Sequence, residues 1–177
     1  MTRPLRAKDL KPFIRDVPDF PKPGIVFRDI TPLLRDGRAF AHTIDQFAAR
    51  YARHRVDAVA AIESRGLIFG AAVALRLGAG LVPVRKRGKL PHKTHQERCV
   101  LEYGEEVLEI HQDALRPNER VLLMDDVLAT GGTMRAAIRL MRRLRARVVE
   151  TAFVIELTPL EGRRKLRPHP VFSLVQY

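Results

Sequence analysis

Apolar positions along this 177-residue chain fall into short blocks whose spacing changes repeatedly. Phe40, Ile44, Phe47 and Tyr51 recur at steps of four, three and four, which places them on one face of a helix. Residues 56–62 (VDAVAAI) form an unbroken apolar run, the pattern of a buried strand, and ESRG ends it. LIFGAAVALRLG then predicts a helix closed by Gly78 as its C-terminal cap. Residues 81–85 (LVPVR) read as a short strand, 86–98 as a long basic loop, and 99–111 as two β-like runs around Gly104, a hairpin. A strand over 121–124, a helix over 132–144, a strand over 148–157 and a last strand over 171–177 complete the pattern.

Strands alternating with helices predict an α/β fold, a parallel sheet flanked by helices. The first 35 or so residues break that alternation, because Pro18, Pro21, Pro23 and Pro32 block long helices. They are expected to form a small N-terminal hood, with the C-terminal segment and the hairpin as further candidates for a cap. One domain over 1–177 accommodates all of it.

Composition narrows the function classes. The content of hydrophobic residues, 46%, allows a real core, and no stretch approaches the apolar length that spans a bilayer. The single cysteine, Cys99, excludes an internal disulfide framework and fits a reducing cytoplasm. The net charge of +12 calls for anionic partners. It is spread along the chain without aromatic interleaving or a nucleic-acid-binding motif, which favours a solvated surface over a nucleic-acid footprint. Arg135, Arg139, Arg142, Arg143 and Arg145 are the one basic cluster on a predicted helix.

The chemistry concentrates in VLLMDDVLATGGTM, residues 121–134. In parallel α/β sheets, ligands bind beyond the carboxyl ends of the strands, where loops lead into helices. A tight loop with Gly131 and Gly132, ahead of a helix N-terminus, presents backbone N–H groups to an anion. Thr130 and Thr133 add hydroxyls, so the loop reads as a phosphate cradle. It is neither a Walker loop nor a dinucleotide fingerprint. Asp125 and Asp126 would repel a phosphate unless something lay between, and a ribose diol, which donates to carboxylates, fits that gap.

Apolar run, Asp-Asp, two residues and Ala-Thr-Gly-Gly-Thr resemble the phosphoribosyl pyrophosphate motif of the type I phosphoribosyltransferases. PDFPKPGIVFRDITPLL, ESRGLIFG, VPVRKRGKLP, LEYGEEVLEIHQDAL and ELTPLEGRRKL, in that order, resemble the adenine-using branch of the family. The resemblance implies transfer of 5-phosphoribose from phosphoribosyl pyrophosphate to adenine, giving AMP and pyrophosphate. It implies the ribose diol at Asp125 and Asp126, and the 5-phosphate at Ala129, Thr130, Gly131, Gly132 and Thr133. Pyrophosphate would be held by Ser64 and Arg65, in a loop where the family often carries a cis peptide, and by Arg85 and Lys86. Adenine would stack on Phe27, meet the backbone of Val26 and Arg28, and be closed in by Leu157. Without the family, Phe27 and Leu157 read as core residues and the basic loop as solvated charge.

Glu102 and Tyr103 resemble the family's lid, which keeps water from the reacting carbon. Glu102 would either stabilise positive charge on the ribose or handle the purine proton, and Arg65 would assist the leaving group. Cys99 stands where the family carries an aromatic, which bears on lid packing. No His/Cys ligand cluster is present, so Mg²⁺ would be carried in by the substrate rather than held by protein ligands. A homodimer is implied, with no membrane or nucleic-acid partner. The rivals are another base (hypoxanthine, xanthine or orotate) and a non-catalytic sensor of the donor that binds nucleic acid.

Overall fold

A computed structural model describes residues 7–101 and 104–177. After a 3-10 turn at Ala7–Phe13, strands β1 (Arg15–Pro18) and β2 (Val26–Asp29) pair antiparallel as a two-stranded sheet. A five-residue helix α1 (Thr31–Arg35) follows, with Pro32 in its first turn, where a missing N–H costs nothing. These elements are the expected hood.

Helix α2 (Gly37–Tyr51) starts at Asp36, whose side chain accepts from the backbone N–H groups of Arg38 and Ala39. Its periodic residues Ile44, Phe47 and Tyr51 are buried. Strand β3 (Ala58–Ile62) leads into α3 (Arg65–Leu77), which ends as the sequence predicts, with Gly78 left-handed at φ 63°. Then come β4 (Gly80–Lys86), β5 (Thr94–Leu101), β6 (Gly104–His111), β7 (Arg120–Leu128), α4 (Gly132–Arg143), β8 (Arg147–Glu156), the short α5 (Gly162–Lys165) and β9 (Val171–Gln176).

The main sheet has seven strands in the order β5-β6-β4-β3-β7-β8-β9. From β4 to β9 every neighbour is parallel, and the β5–β6 hairpin is added antiparallel at the β4 edge. Along β7 the side chains alternate faces. Val121 and Leu123 join the core under α4, whereas Leu122 and Met124 join the core under α2 and α3. A strand covered on both faces must be apolar at every position, which is why β7 reads as a continuous run. Among the described residues no helix is long and apolar enough to cross a membrane.

Four expectations change. The strand over 121–124 continues through the acid pair to Leu128, because β8 keeps pairing with it at Asp125↔Phe153 and Val127↔Ile155. The expected basic loop is shorter, since Thr94 already pairs with His111 in the hairpin ladder. The hairpin is no separate cap, because Arg85 and Lys86 of β4 bond to Glu109 and Leu108. The C-terminal strand likewise lies in the main sheet, and it meets the hood where Tyr177 carries the Arg28 guanidinium 3.9 Å above its ring.

Helix α3 sits unusually close to β3. A Cβ on Gly70 would stand 2.3 Å from the Cβ of Ala61. Gly70→Ala is therefore expected to lift the helix off the sheet and lower stability by about 1–3 kcal/mol, read as a lower urea midpoint at unchanged slope.

Candidate functional site

The carboxyl ends of β3, β4 and β7 lie side by side, since Ile62 pairs with Val84 and Ala61 with Met124. Whatever follows each strand is thus delivered to one place. A cleft of about 410 Å³ opens there. Glu63, Ser64 and Arg65 enter it from β3, Lys86 from β4, Glu106 from β6, and Asp125 and Asp126 from β7. Larger hollows exist, one of about 700 Å³ between α2 and α3, but the chemistry expected from sequence converges in the smaller one.

The Glu63–Ser64 peptide is cis, and α3 begins at the next residue. Gly66 in its first turn lets the helix approach the acids, for a Cβ there would stand 2.8 Å from Asp125 Oδ1. Arg65 Nε lies 2.6 Å from Asp126 Oδ2. Its N–H is not aligned on that oxygen, which is buried and without a hydrogen-bond partner. The contact is a charge pair that leaves an acceptor open. The Arg65 guanidinium also stands 4.9 Å from the centre of the Phe27 ring, whose other neighbour is the edge of Phe20 at 5.2 Å.

Burial pushes the Asp125 carboxyl well above the usual carboxylate range, and the neighbouring Asp126 adds to it. Asp126 is raised too, again by burial, with Arg65 opposing. The folded chain thus holds these protons more tightly than the unfolded one. The resulting stability is complete at acid pH and is lost as pH rises through the raised values. Asp125→Asn is expected to melt above the wild type at pH 8, with the gap closing toward pH 4, as followed by thermal denaturation.

Beyond the acids, residues 129–133 wrap a small cavity of about 60 Å³ that shares Asp125 and Thr133 with the cleft. Gly131 is left-handed at φ 80° and caps α4, so the helix N-terminus faces the loop. The loop is braced from behind by α5. A Cβ on Gly131 would lie 2.7 Å from the Gly162 carbonyl oxygen, and one on Gly162 only 2.1 Å from that of Ala129. Arg163, next in α5, is anchored on the buried Glu156 through Nε at 2.9 Å and a terminal nitrogen at 2.5 Å, and also donates to the Val171 carbonyl.

The remaining predicted residues are placed as follows. Arg85 does not line the cleft; its Nε donates to Glu63 Oε2 at 2.6 Å and a terminal nitrogen to the Lys89 carbonyl at 3.0 Å. Lys86 pairs with Glu106 at 2.5 Å, which holds its ammonium charged. Val26, Phe27 and Arg28 lie on β2, and Leu157 is partly buried against the core under α2 and α3. Arg28 turns its side chain to Asp16 and Tyr177, leaving the backbone of β2 as its contribution to any ligand. Glu102 and Tyr103 lie outside the described residues. Sequence reasoning missed Glu63 and Glu106 as holders of the cationic residues, and Gly162 as the brace. All three sit inside stretches already quoted for their likeness, so the signal was there without its meaning.

The chain matches the phosphoribosyl transferase domain family over residues 33–175. It is 56% identical over 173 residues to an adenine phosphoribosyltransferase of Chloroflexus aurantiacus, covering 98% of this chain and 100% of that one. The fold is similar to the crystal structure of an adenine phosphoribosyltransferase from Thermoanaerobacter pseudethanolicus, with a TM-score of 0.92, 47% identity and coverage of 96% and 98%. It also matches that of Saccharomyces cerevisiae, solved with an imino-altritol bisphosphate and adenine, at a TM-score of 0.89, 40% identity and coverage of 95% and 97%.

Proposed function

Since the chain belongs to the phosphoribosyltransferases, and among them to those that use adenine, we propose that the cleft at the ends of β3, β4 and β7 binds both substrates. The enzyme transfers 5-phosphoribose from phosphoribosyl pyrophosphate to adenine, yielding AMP and pyrophosphate, a step of purine salvage.

The observation that carries the assignment is the open acceptor on Asp126, set between a phosphate-sized loop and a cationic residue. A ribose hydroxyl donating to Oδ2 supplies the missing hydrogen bond, with Asp125 taking the neighbouring hydroxyl. The 5-phosphate then falls to the backbone N–H groups and threonines of residues 129–133, and the pyrophosphate to Ser64, Arg65 and Lys86, with Arg85 behind Glu63. Phe27 gives adenine a stacking face on leaving Arg65, the backbone of Val26 and Arg28 reads its edge, and Leu157 closes the far side. Glu102 and Tyr103 form the lid.

Displacement at the anomeric carbon passes through an oxocarbenium-like state, which water would capture in an open site. The cationic residues stabilise the departing pyrophosphate, and Glu102 is assigned either to the developing positive charge or to the purine proton. Among the described residues no three His, Cys, Asp or Glu side chains are grouped to hold a metal. The hard oxygens of Asp125 and Asp126 suit Mg²⁺ held mainly by the substrate. When bound, Mg²⁺ offsets charge on the pyrophosphate. A homodimer belongs to the same reading, supported by Ile68, Leu75 and Leu81, apolar yet 42%, 82% and 42% exposed on α3 and β4. A cytoplasmic setting is supported by the lone, buried, unpaired Cys99.

The test is nucleotide formation from phosphoribosyl pyrophosphate and Mg²⁺, with adenine, hypoxanthine, guanine, xanthine and orotate in parallel. AMP from adenine alone is the expected result. Turnover of another base would move the substrate, and donor binding without any product would favour a sensor.

A further inference from the structure

At the amino ends of β3, β7 and β8, some 20 Å along the strands from the acid pair, lies a second polar groove. Three connections are stitched together there. The Asp57 N–H donates to the Arg120 carbonyl at 2.8 Å, and the Arg120 N–H returns to Asp57 Oδ2 at 2.8 Å. The Asn118 N–H donates to the Arg145 carbonyl at 2.9 Å, and the Arg147 N–H to the Glu119 carbonyl at 2.8 Å. The floor of the groove is therefore stiff.

Four arginines line it, Arg55, Arg116, Arg120 and Arg147, against two acids, Asp57 and Glu119, so four minus two leaves a charge of +2 in about 620 Å³. Both acids are already engaged. Asp57 accepts from Arg55 Nε at 3.1 Å as well as from Arg120, and Glu119 accepts from the Arg116 N–H at 2.9 Å. The register makes matters worse, because Arg120 and Arg147 are direct partners in the β7–β8 ladder. Like charges opposite one another destabilise a sheet.

The way these side chains are held is informative. Arg120 Nε donates to the Arg55 carbonyl at 2.8 Å, Arg147 Nε to Asn118 Oδ1 at 3.2 Å, and Arg55 Nε to Asp57. Among the described residues, none of the three makes a hydrogen bond through a terminal nitrogen. Each guanidinium is tethered by its inner nitrogen while its outer pair stays available. Tethering lowers the ordering cost of binding, and the outer pair is the half that grips phosphate oxygens in bidentate fashion.

We infer that this groove is a second anion site, separate from the catalytic cleft, that takes a linear oligophosphate of two or more phosphoryl groups. One phosphate would already meet the net charge of +2, so it is the spread of three tethered guanidiniums around a groove of about 620 Å³ that calls for phosphoryl groups in a row. Inorganic polyphosphate and the phosphate tail of a nucleoside triphosphate share this chemistry. A nucleic-acid strand fits less well. Of the basic residues along α4, Arg139 and Arg143 already share Glu97, with contacts of 2.7 Å each, and are less available to a nucleic-acid backbone.

The experiment is calorimetric titration of the full chain with inorganic tripolyphosphate, and separately with ATP, with the catalytic cleft filled by saturating AMP. The expected result is binding of both ligands to the wild type, weakened about tenfold or more in Arg55→Ala/Arg147→Ala. Turnover of adenine by that variant should be unchanged. Arg35→Ala/Arg38→Ala, which removes the same charge from the exposed hood side, should bind as the wild type does. Equal weakening in both double variants would reduce the site to general surface charge and overturn it. So would binding of ATP without tripolyphosphate, no binding to the AMP-filled wild type, or tighter binding of a single-stranded oligonucleotide that the same arginines control.

Discussion

Gly162→Ala is expected to reduce kcat/KM for phosphoribosyl pyrophosphate by about a hundredfold, the scale of loss that an ångström of misplacement brings. The new methyl would stand 2.1 Å from the Ala129 carbonyl oxygen and 3.0 Å from the Gly131 nitrogen, both backbone atoms. Neither can rotate away as a side chain could, so the loop over 129–133 must move as a piece. Its N–H groups are then displaced from the proposed 5-phosphate position. Overpacking also costs about 1–3 kcal/mol of stability, which a denaturant titration reads separately. The two effects are distinguishable, because the proposed stacking residue for adenine, Phe27, lies on β2 and not on α5 or the 129–133 loop. A variant that lost stability yet kept its donor KM would show that the brace is merely structural.

Arg65→Ala should be the most damaging single change in the cleft, with donor turnover down by about a hundred- to a thousandfold. Three features depend on this side chain. It is the cation within 2.6 Å of Asp126, it covers the face of Phe27, and it is the proposed pyrophosphate ligand. Its loss leaves Asp125 and the buried Asp126 without a counter-charge, which costs about 3–5 kcal/mol where the pair stays ionised. Because Arg65 holds the Asp126 carboxyl down, the variant's acids should titrate higher still. Its stability deficit should therefore grow from pH 6 to pH 8, measured by thermal melts across that range. Arg65→Lys keeps a charge without the planar fork, and should recover stability more fully than turnover. A variant whose melting deficit was flat in pH would break the link between Arg65 and the acid pair.

Much of the fold was readable from spacing alone. The four-three-four recurrence in α2, the Gly78 cap and the unbroken run in β7 each follow from local rules of helix and strand. The acid pair and the loop after it stood out in the sequence because two carboxylates and two glycines lie within a few residues of one another. What escaped depends on contacts between residues far apart in the chain. Nothing local to residues 162 or 129 says that their backbones touch, and nothing in the hairpin says that its second strand will pair with Lys86. The β7 strand outran its predicted end for the same reason. Two acids look like a terminus until a neighbouring strand continues to offer hydrogen bonds.

The cleft's cationic residues have one more consequence. Arg65 faces Asp126 and Lys86 faces Glu106, while Arg85 behind them faces Glu63, so each positive charge is matched by an acid. To a passing anion the cleft is close to neutral despite the chain's overall +12. A lone phosphate carries too little charge to pull those couples apart, whereas a ligand bearing phosphates at both ends can part them together. On the proposed assignment of these residues to pyrophosphate, the acids set a threshold that small anions stay below.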